Sequence, residues 1–323
     1  MTPDFHIVID GHQDATDAIR ERFLSLRISD EEGYRSDALE LRLDDRGGIV
    51  ELPRRGAVIY AQLGYRSIGR VRMGRYAVDE VKLSGFPETL VIRATAADLR
   101  DTAKQRRTRS WNRVTIGELV AKIARELGLE AWTAGGLASI VLPHVDQTDE
   151  SDLHLLTRLG ELYDAVARPA GGRLVFTRRG AGVSVTGSSV TPARIKPEIV
   201  SSYSITIDDR QSYRSVAAYW YDKASASRKE VTVGGGEPVY ALRDDQVDEA
   251  TARYAAQARL DALNRAAATL NLTLPGLPTI SAEGALTLES FREGIDGRWI
   301  VTRVTHQLDS SGYRTEVEAQ RPT

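Results

Sequence analysis

Residues able to carry chemistry are sparse in this chain, and their spacing argues against most reactions. The five histidines are His6, His12, His144, His154 and His306. No two stand four residues apart, the spacing by which a helix face presents two metal ligands. His154 sits among leucines, where a hydrogen-bonded, half-buried ring is expected, and His306 lies in a strand pattern without an adjacent acid or nucleophile. Asp146, Asp149, Glu150 and Asp152 would cluster if a helix began near Asp149, and paired carboxylates can do acid–base work. Acidic residues in a first helical turn more often stabilise the positive end of the helix dipole. Arg100, Lys104, Arg106, Arg107, Arg109 and Arg113 form a basic connector, with Trp111 as a stacking surface. Such a run could touch the phosphates of single-stranded nucleic acid, although a solvated loop or a rim contact with an acidic partner suits it better. Gly234-Gly235-Gly236 lacks the Lys-Ser/Thr and the helix start of a phosphate cradle and reads as a hairpin loop. There is no Walker loop, dinucleotide fingerprint or Gly-x-Ser-x-Gly elbow. With no cysteine, thiol nucleophiles, disulfides and thiolate metal sites are excluded. The residues therefore assign no catalytic, cofactor-binding or metal site, and imply no cofactor and no enzyme activity.

The elements that would position these residues are organised around the stretch from Trp111 to Phe176. Thr115 and Glu118 form a capping box. Ile116, Leu119, Val120, Ile123 and Leu127 then share one helical face, and Gly128 stops the helix. Burying five aliphatics at ~2 kcal/mol each outweighs a cap worth ~1 kcal/mol, so packing holds this helix while the cap sets its start. A second helix is expected to open at Gln147–Asp152, and Gly171-Gly172-Arg173-Leu174-Val175-Phe176 turns into a strand.

Sheet patterns flank this middle. Ahead of it, Phe5–Ile9 alternates weakly and Asp14–Arg22 suits a short helix. Strands read at Phe23–Ile28, Leu39–Leu43, Ala57–Leu63, Gly69–Arg75, Ala77–Leu83 and Thr89–Ala94, the pattern of a small barrel or sandwich. From Thr177 to Lys196 the composition suggests short strands and a linker. Strands resume at Ser202–Ile207, Val216–Tyr221 and Arg228–Val233. The longest helix is expected from Asp245 to about Ala268. Strands follow at Thr269–Leu274, Gly284–Glu289, Trp299–Leu308 and Tyr313–Ala319. Ile28-x-Asp30-x-x-x-Tyr34-Arg35-Ser36 recurs as Ile207-x-Asp209-x-x-x-Tyr213-Arg214-Ser215, a hint that the flanks are copies of one β domain. The expected fold is α+β and β-rich, with three divisions. Residues 1–100 form a first β-barrel domain, 101–200 an α/β middle domain, and 201–323 a second β-barrel domain with a helical insertion near 244–268.

The bulk numbers agree with a multidomain protein. The chain has 323 residues, 41% hydrophobic and 27% charged, enough for two or three cores. A net charge of −2 gives no global field toward nucleic acid or an anionic membrane. Met1–Asp10 lacks a signal-peptide pattern, and no apolar run reaches the roughly 18 residues of a membrane span.

Several segments, in order, resemble the phage late control protein D family, the baseplate hub of contractile tails. They are the connector ending Arg109-Ser110-Trp111, the run Val114–Ala124, Gln147–Gly160, Gly171–Phe176 and Arg298–Thr315. The hub module is shared with the type VI secretion spike protein VgrG. The resemblance implies a homotrimer in which each subunit contributes two related β-barrel domains, so that three chains present a pseudo-sixfold ring. It further implies a structural role joining a hexameric tail tube to a trimeric spike. The implied partners are the spike, the tail tube protein and the baseplate wedge proteins, with the tape measure protein a further candidate. Nucleic acid would at most be in transit through the ring. The implied location is the tail baseplate of a virion or phage-tail-like particle, assembled in the host cytoplasm. VgrG continues into a Val/Gly-rich β-helix, whereas this chain stops at Thr323, so the spike is expected to be a separate polypeptide. The alternatives are a hub of a type VI-like secretion machine, an enzyme acting on cell-wall polymer through Asp149 and Glu150, and an oligonucleotide-binding barrel using the basic connector.

Overall fold

The computed structural model describes residues 1–10, 13–33, 37–97, 105–170, 172–181, 192–208 and 213–322. The leading part comprises β1 (Pro3–Ile9), β2 (Gln13–Asp14), α1 (Thr16–Arg20), β3 (Phe23–Glu31), β4 (Ala38–Asp44), β5 (Val58–Tyr65), β6 (Gly69–Ser84) and β7 (Thr89–Ala96). The middle holds β8 (Arg106–Thr115), α2 (Ile116–Glu126), β9 (Glu130–Thr133), α3 (Gly135–Ala138), β10 (Val141–Ser151), α4 (Asp152–Tyr163), β11 (Ala165–Ala170) and β12 (Arg173–Arg178). The trailing part opens with β13 (Ala193–Ile195) and a 3-10 turn at Pro197–Ile199. It continues through β14 (Ser202–Ile207), β15 (Ser215–Asp222), β16 (Ser227–Gly234), β17 (Val239–Gln246) and α5 (Glu249–Ala266). It ends with β18 (Ala268–Pro275), β19 (Ala285–Leu288), β20 (Gly297–Asp309) and β21 (Gly312–Gln320).

Most strands form where apolar and polar residues alternate. In β4, Leu39, Leu41 and Leu43 are buried while Arg42 is exposed, as a half-buried strand requires. The two strands expected at Gly69–Arg75 and Ala77–Leu83 are one strand, β6. It carries a bulge beside Ala61 and changes partner near Tyr76, pairing first with β5 and then with β7. Helix α2 starts where its capping box places it. The Thr115 backbone N–H donates to Glu118 Oε2 at 2.8 Å, and the Glu118 N–H donates to Thr115 Oγ1 at 3.1 Å. Ile116, Leu119, Val120 and Ile123 are fully buried, and Gly128 follows the helix with φ of +72°.

The two flanking halves are built to one strand order. The leading half's β1, β3, β4, β5, β6 and β7 lie side by side as β1-β5-β6-β7-β4-β3. The trailing half's β13, β14, β18, β19, β20 and β21 lie as β13-β19-β20-β21-β18-β14. In chain order both read first, fourth, fifth, sixth, third, second. Each half curls into an open barrel. Phe5 of β1 stacks on Phe23 of β3 with ring centroids 4.8 Å apart, and Ile195 of β13 and Ile205 of β14 meet on one core. The likeness extends to irregularities. Strand β6 skips Asp79 between the pairs Val78–Ala94 and Glu80–Arg93, and β20 skips Thr302 between Val301–Ala319 and Arg303–Glu318. Bulges of this kind are designed features of a fold. The Val78 N–H donates to Ala57 O at 2.9 Å, and the Val301 N–H to Gly284 O at 2.9 Å. Three features differ. β1 runs antiparallel to β5 while β13 runs parallel to β19, β2 and α1 stand between the first and second strands only in the leading half, and the link from second to third strand holds β15–β17 and α5 only in the trailing half.

This matching places Ile28 opposite Leu39 and Ile205 opposite Leu270, with Leu39 and Leu270 opposite Ala94 and Ala319. Ile28 therefore corresponds to Ile205, two residues from the Ile207 that the sequence echo would select. Of that echo, Tyr34, Arg35, Ser36 and Asp209 lie outside the described residues.

The halves join edge to edge. β20 pairs antiparallel with β3 from Arg303–Glu31 to Asp309–Ser25, so both barrels belong to one sheet. The middle packs its own core between a two-stranded and a three-stranded sheet. It docks on α5, where Tyr163 meets Tyr254 at 5.2 Å. Arg265 of α5, 4% exposed along its side chain, donates from Nη1 to Asp164 Oδ2 at 2.9 Å. Asp164 ends α4 in the left-handed region, which Asn also tolerates. Asp164→Asn should therefore spare the turn but strand a buried guanidinium, lowering stability by about 3–5 kcal/mol. A loss below ~1 kcal/mol in chemical denaturation would contradict that role.

Candidate functional site

The basic run and the acidic cluster singled out from sequence are two sides of one network. Arg106–Arg113 is not a connector but most of β8, paired with β10. Its sequence lacks apolar alternation because charge and cation–π contacts hold it. The acidic residues were expected in a first helical turn, yet Gln147–Ser151 completes β10 and α4 begins at Asp152, capped by the Ser151 hydroxyl. Arg109 Nη2 donates to Asp152 Oδ1 at 2.6 Å, its Nη1 to Glu126 Oε2 at 2.8 Å and its Nε to Gln147 Oε1 at 2.8 Å. Arg107 also pairs with Glu126, and Arg106 meets Asp149 at 2.8 Å. Arg158 meets Glu150 at 2.9 Å. Asp152 is fully buried. Burial works against the charge of Glu126, but the hydrogen bond and charge of Arg109 overcome it and hold the carboxyl below its ordinary range.

Arg107, Arg109, Glu126 and Asp152 are thus committed to one another. Trp111 is 5% exposed, with Arg109 over its ring at 4.5 Å and Lys122 at 5.1 Å, so it offers no stacking surface. Arg100 and Lys104 lie outside the described residues; Arg113 is exposed on β8.

The histidines are likewise scattered. His6 meets Asp14 at 3.1 Å, and His12 lies outside the described residues. His144 meets Asn112 at 2.6 Å and Asp146 at 3.0 Å. His154 bonds Glu150 at 2.6 Å, but it is exposed rather than half-buried, because the helix turns its leucines inward and this position outward. Among the described residues no three His, Asp or Glu side chains converge as metal ligands. Gly234 closes β16 with φ of +94°, and a Cβ there would stand 2.3 Å from Arg214 O. Close backbone approach, not phosphate binding, accounts for that glycine. A cleft of about 450 Å³ between middle and barrels is lined by Glu31, Glu32, Arg179, Arg303 and Glu318. Its cations are also paired, Arg303 with Glu31 at 2.8 Å and Arg179 with Glu32.

One half-buried charge cluster was invisible in the sequence because its members come from three distant segments. Arg168 of β11 stands 3.8 Å from both Asp30 of β3 and Glu283 beside β19. The Gly33 N–H donates to Glu283 Oε1 at 2.9 Å, and the Ala282 N–H to Asp30 Oδ2 at 2.8 Å. Burial, then the neighbouring Asp30, pushes the Asp37 carboxyl up to about 7; the two hydrogen-bond, so one carries a proton. Burial also raises Glu283. Nearby, His306 is fully buried against Thr315, Tyr313 and the Ile280 carbonyl, and burial lowers it to about 4. The cluster ties both barrels to the middle; it is a structural joint.

The remaining features suited to function are assembly surfaces. The outer edge of β14 has no partner strand among the described residues. Tyr203 and Ile207 on it are exposed, as are Leu83 and Phe86 at the β6–β7 hairpin. No helix among the described residues is long and apolar enough to cross a membrane.

Known proteins share this arrangement. Residues 69–312 match the family model of the phage tail baseplate hub (GPD). The chain is 32% identical to the probable baseplate hub protein of Escherichia phage P2, over 99% of this chain and 93% of that protein. Among solved structures it is similar to the 43 kDa tail protein of prophage MuSo2 from Shewanella oneidensis. That match has a TM-score of 0.75, 13% identity and 99% coverage of both chains. The E. coli c3393 protein, a component of the type VI secretion system, matches with a TM-score of 0.59 and 12% identity, over 94% of this chain and 74% of that one. At such identities these structures establish the fold.

The buried joint makes a pH prediction. Asp37 keeps its proton to about pH 7, so its stabilising contribution is full below the ordinary carboxyl pKa near 4 and is lost as pH rises through about 7. His306 has the opposite sign: its contribution is full above about 6.5 and is lost as pH falls through about 4. Between about 4 and 6.5 the slopes oppose. Relative to the unsubstituted chain, Asp37→Asn should shift the slope of stability against pH in that window upward, and His306→Gln should shift it downward. Denaturation midpoints at three pH values test this; parallel profiles for both variants would refute it.

Proposed function

Because the chain belongs to the phage tail baseplate hub family, we propose that it acts there as a trimeric symmetry adaptor between a hexameric tail tube and a trimeric spike. It is a baseplate hub of a phage tail or related tail-like particle, and its place is the virion tail. The observation that carries the finer reading is the shared strand order of the two halves, already joined edge to edge by β20 and β3. Each chain thus offers two near-equivalent barrels, and three chains would offer six. Residues 1–100 and 201–323 would build that ring, and 101–200 a body outside it. The role is mechanical, transmitting the thrust of sheath contraction from tube to spike, with wedge proteins around the hub and the tape measure protein above. Assembly would take place in the host cytoplasm. The self-neutralised charges of the middle support a non-enzymatic reading. The identity to phage hubs favours a phage tail over a type VI-like machine, which the c3393 likeness matches in fold only.

Native mass spectrometry of the full chain, alone and with its trimeric spike protein, tests this. The expected species with the spike present is three hub chains per complex. Monomeric hub under both conditions would overturn the adaptor reading.

A further inference from the structure

The arginines lining one cleft are paired, with a single exception among the described residues. The cleft lies between α4, β17 and α5 and has a volume of about 840 Å³. Arg158 meets Glu150, Arg179 meets Glu32, and Arg265 meets Asp164. Arg259 is half-buried and forms no ion pair or hydrogen bond among the described residues; its Nε is enclosed without an acceptor. Its guanidinium lies over the Tyr240 ring at 4.7 Å. Stacking of this kind satisfies the face of the guanidinium and leaves the donors along its edge unused. A charged donor kept from water without an acceptor is destabilising in the free chain.

We propose that this cleft docks a segment of a partner protein through a carboxylate seated on Arg259, with cationic side chains on either side of that carboxylate. The Nε and one Nη of a guanidinium present two parallel N–H groups, which match the two oxygens of one carboxylate. Docking supplies the acceptor that Nε lacks. Glu161 of α4 and Asp244 of β17 line the same cleft, and neither has a cationic partner among the described residues. Asp245 beside them is already taken by Arg228 at 2.7 Å. A ligand complementary to this lining carries an anionic group for Arg259 and cations for the two acids. A nucleic-acid backbone brings repeated negative charge and would meet two uncompensated acids for one cation. A mixed-charge peptide satisfies all three.

The walls suit an extended chain. Ala255, Ala258 and Ala262 of α5 line the cleft, and their small side chains leave room for a peptide backbone. Leu242 of β17 adds an apolar contact. The lining also reaches Arg179 beyond β12 and Gln320 at the end of β21. A docked segment would therefore touch the middle, α5 and the trailing barrel together. The site is complete within one chain and is independent of the trimeric reading above.

Titration calorimetry on the full chain tests this. The probe is a terminally blocked peptide, Lys-Ala-Asp-Ala-Lys, whose charged side chains share one face when extended; the control carries Asn at its centre. The Asp peptide should bind once per chain, and the Asn peptide should bind roughly tenfold or more weakly. Arg259→Lys keeps the charge but removes the fork. At an unchanged denaturation midpoint it should bind the Asp peptide about as poorly as the unsubstituted chain binds the Asn peptide. Asp244→Asn should weaken the Lys-flanked peptide and leave an Ala-flanked one unaffected. The Asp–Asn comparison needs no variant, so it decides the matter even where a substitution lowers stability. Equal binding of the two peptides, or binding of neither at millimolar concentration, overturns the site. Full-strength binding by Arg259→Lys overturns the role of the fork. Tighter binding of single-stranded oligothymidylate, lost in Arg259→Lys, overturns the peptide in favour of phosphate. Self-association by sedimentation that is lost in Arg259→Lys gives the cleft to a second copy and overturns the proposal likewise.

Discussion

The antiparallel pairing of β20 with β3 is the contact on which the rest of this molecule depends. It joins strands almost three hundred residues apart and makes one sheet of two barrels. Its hydrogen bonds run between backbones and do not care which side chains stand at either position. Two halves with different sequences can therefore meet in one geometry. Side chains then consolidate what the backbone sets: Leu308 and Tyr313 of the trailing half enter the leading half's core, so the junction also buries apolar surface.

The two excursions from the barrels lean on each other. The middle is inserted between the halves, and α5 with β15–β17 between the second and third strands of the trailing half. α4 packs against α5 through Tyr163 and Tyr254, and the buried Asp164–Arg265 pair fixes their relation. Arg168 reaches from the middle back to Asp30 and Glu283, one from each half. A half-buried cation held by acids from separate segments is fully satisfied only when all three are in place. The joint therefore rewards the assembled arrangement over a partly docked one.

Elements ruled by local physics were legible in the sequence. The Thr115–Glu118 box and the apolar stripe behind it located α2, and alternation located β3, β4, β7 and most of the trailing strands. Elements ruled by distant partners were not. Arg106–Thr115 lacks an apolar rhythm because its fit to β10, Glu126 and Asp152 is ionic. Asp245 looked like a helix start, yet it lies in β17 with Arg228 at 2.7 Å, and Asp248 caps α5 instead. The junction edges carry no signal of their own, since strand pairing is written in main-chain groups common to every residue. The resemblance to a family was readable from segment order; the likeness of the two halves was readable only as a hint, and the hint was two residues out of register.

The halves are equivalent in geometry and opposed in charge. Glu80 and Arg93 occupy the places of Arg303 and Glu318, and both pairs are ion-paired, at 3.1 Å and 3.2 Å. Reversal leaves each pair intact but changes what the open edge shows. At β20 the edge begins with Arg303, which takes Glu31 of β3 at 2.8 Å. At β6 it begins with Glu80, and both β3 and β14 would bring an acid to that position, Glu31 or Asp208. The cationic edge is thus the stronger site for either second strand, and within one chain β3 holds it. The β6 edge is left weaker by the same charges. One sheet geometry used twice, with its charge reversed once, gives β3 a complementary partner at β20 and leaves the β6 edge without one among the described residues.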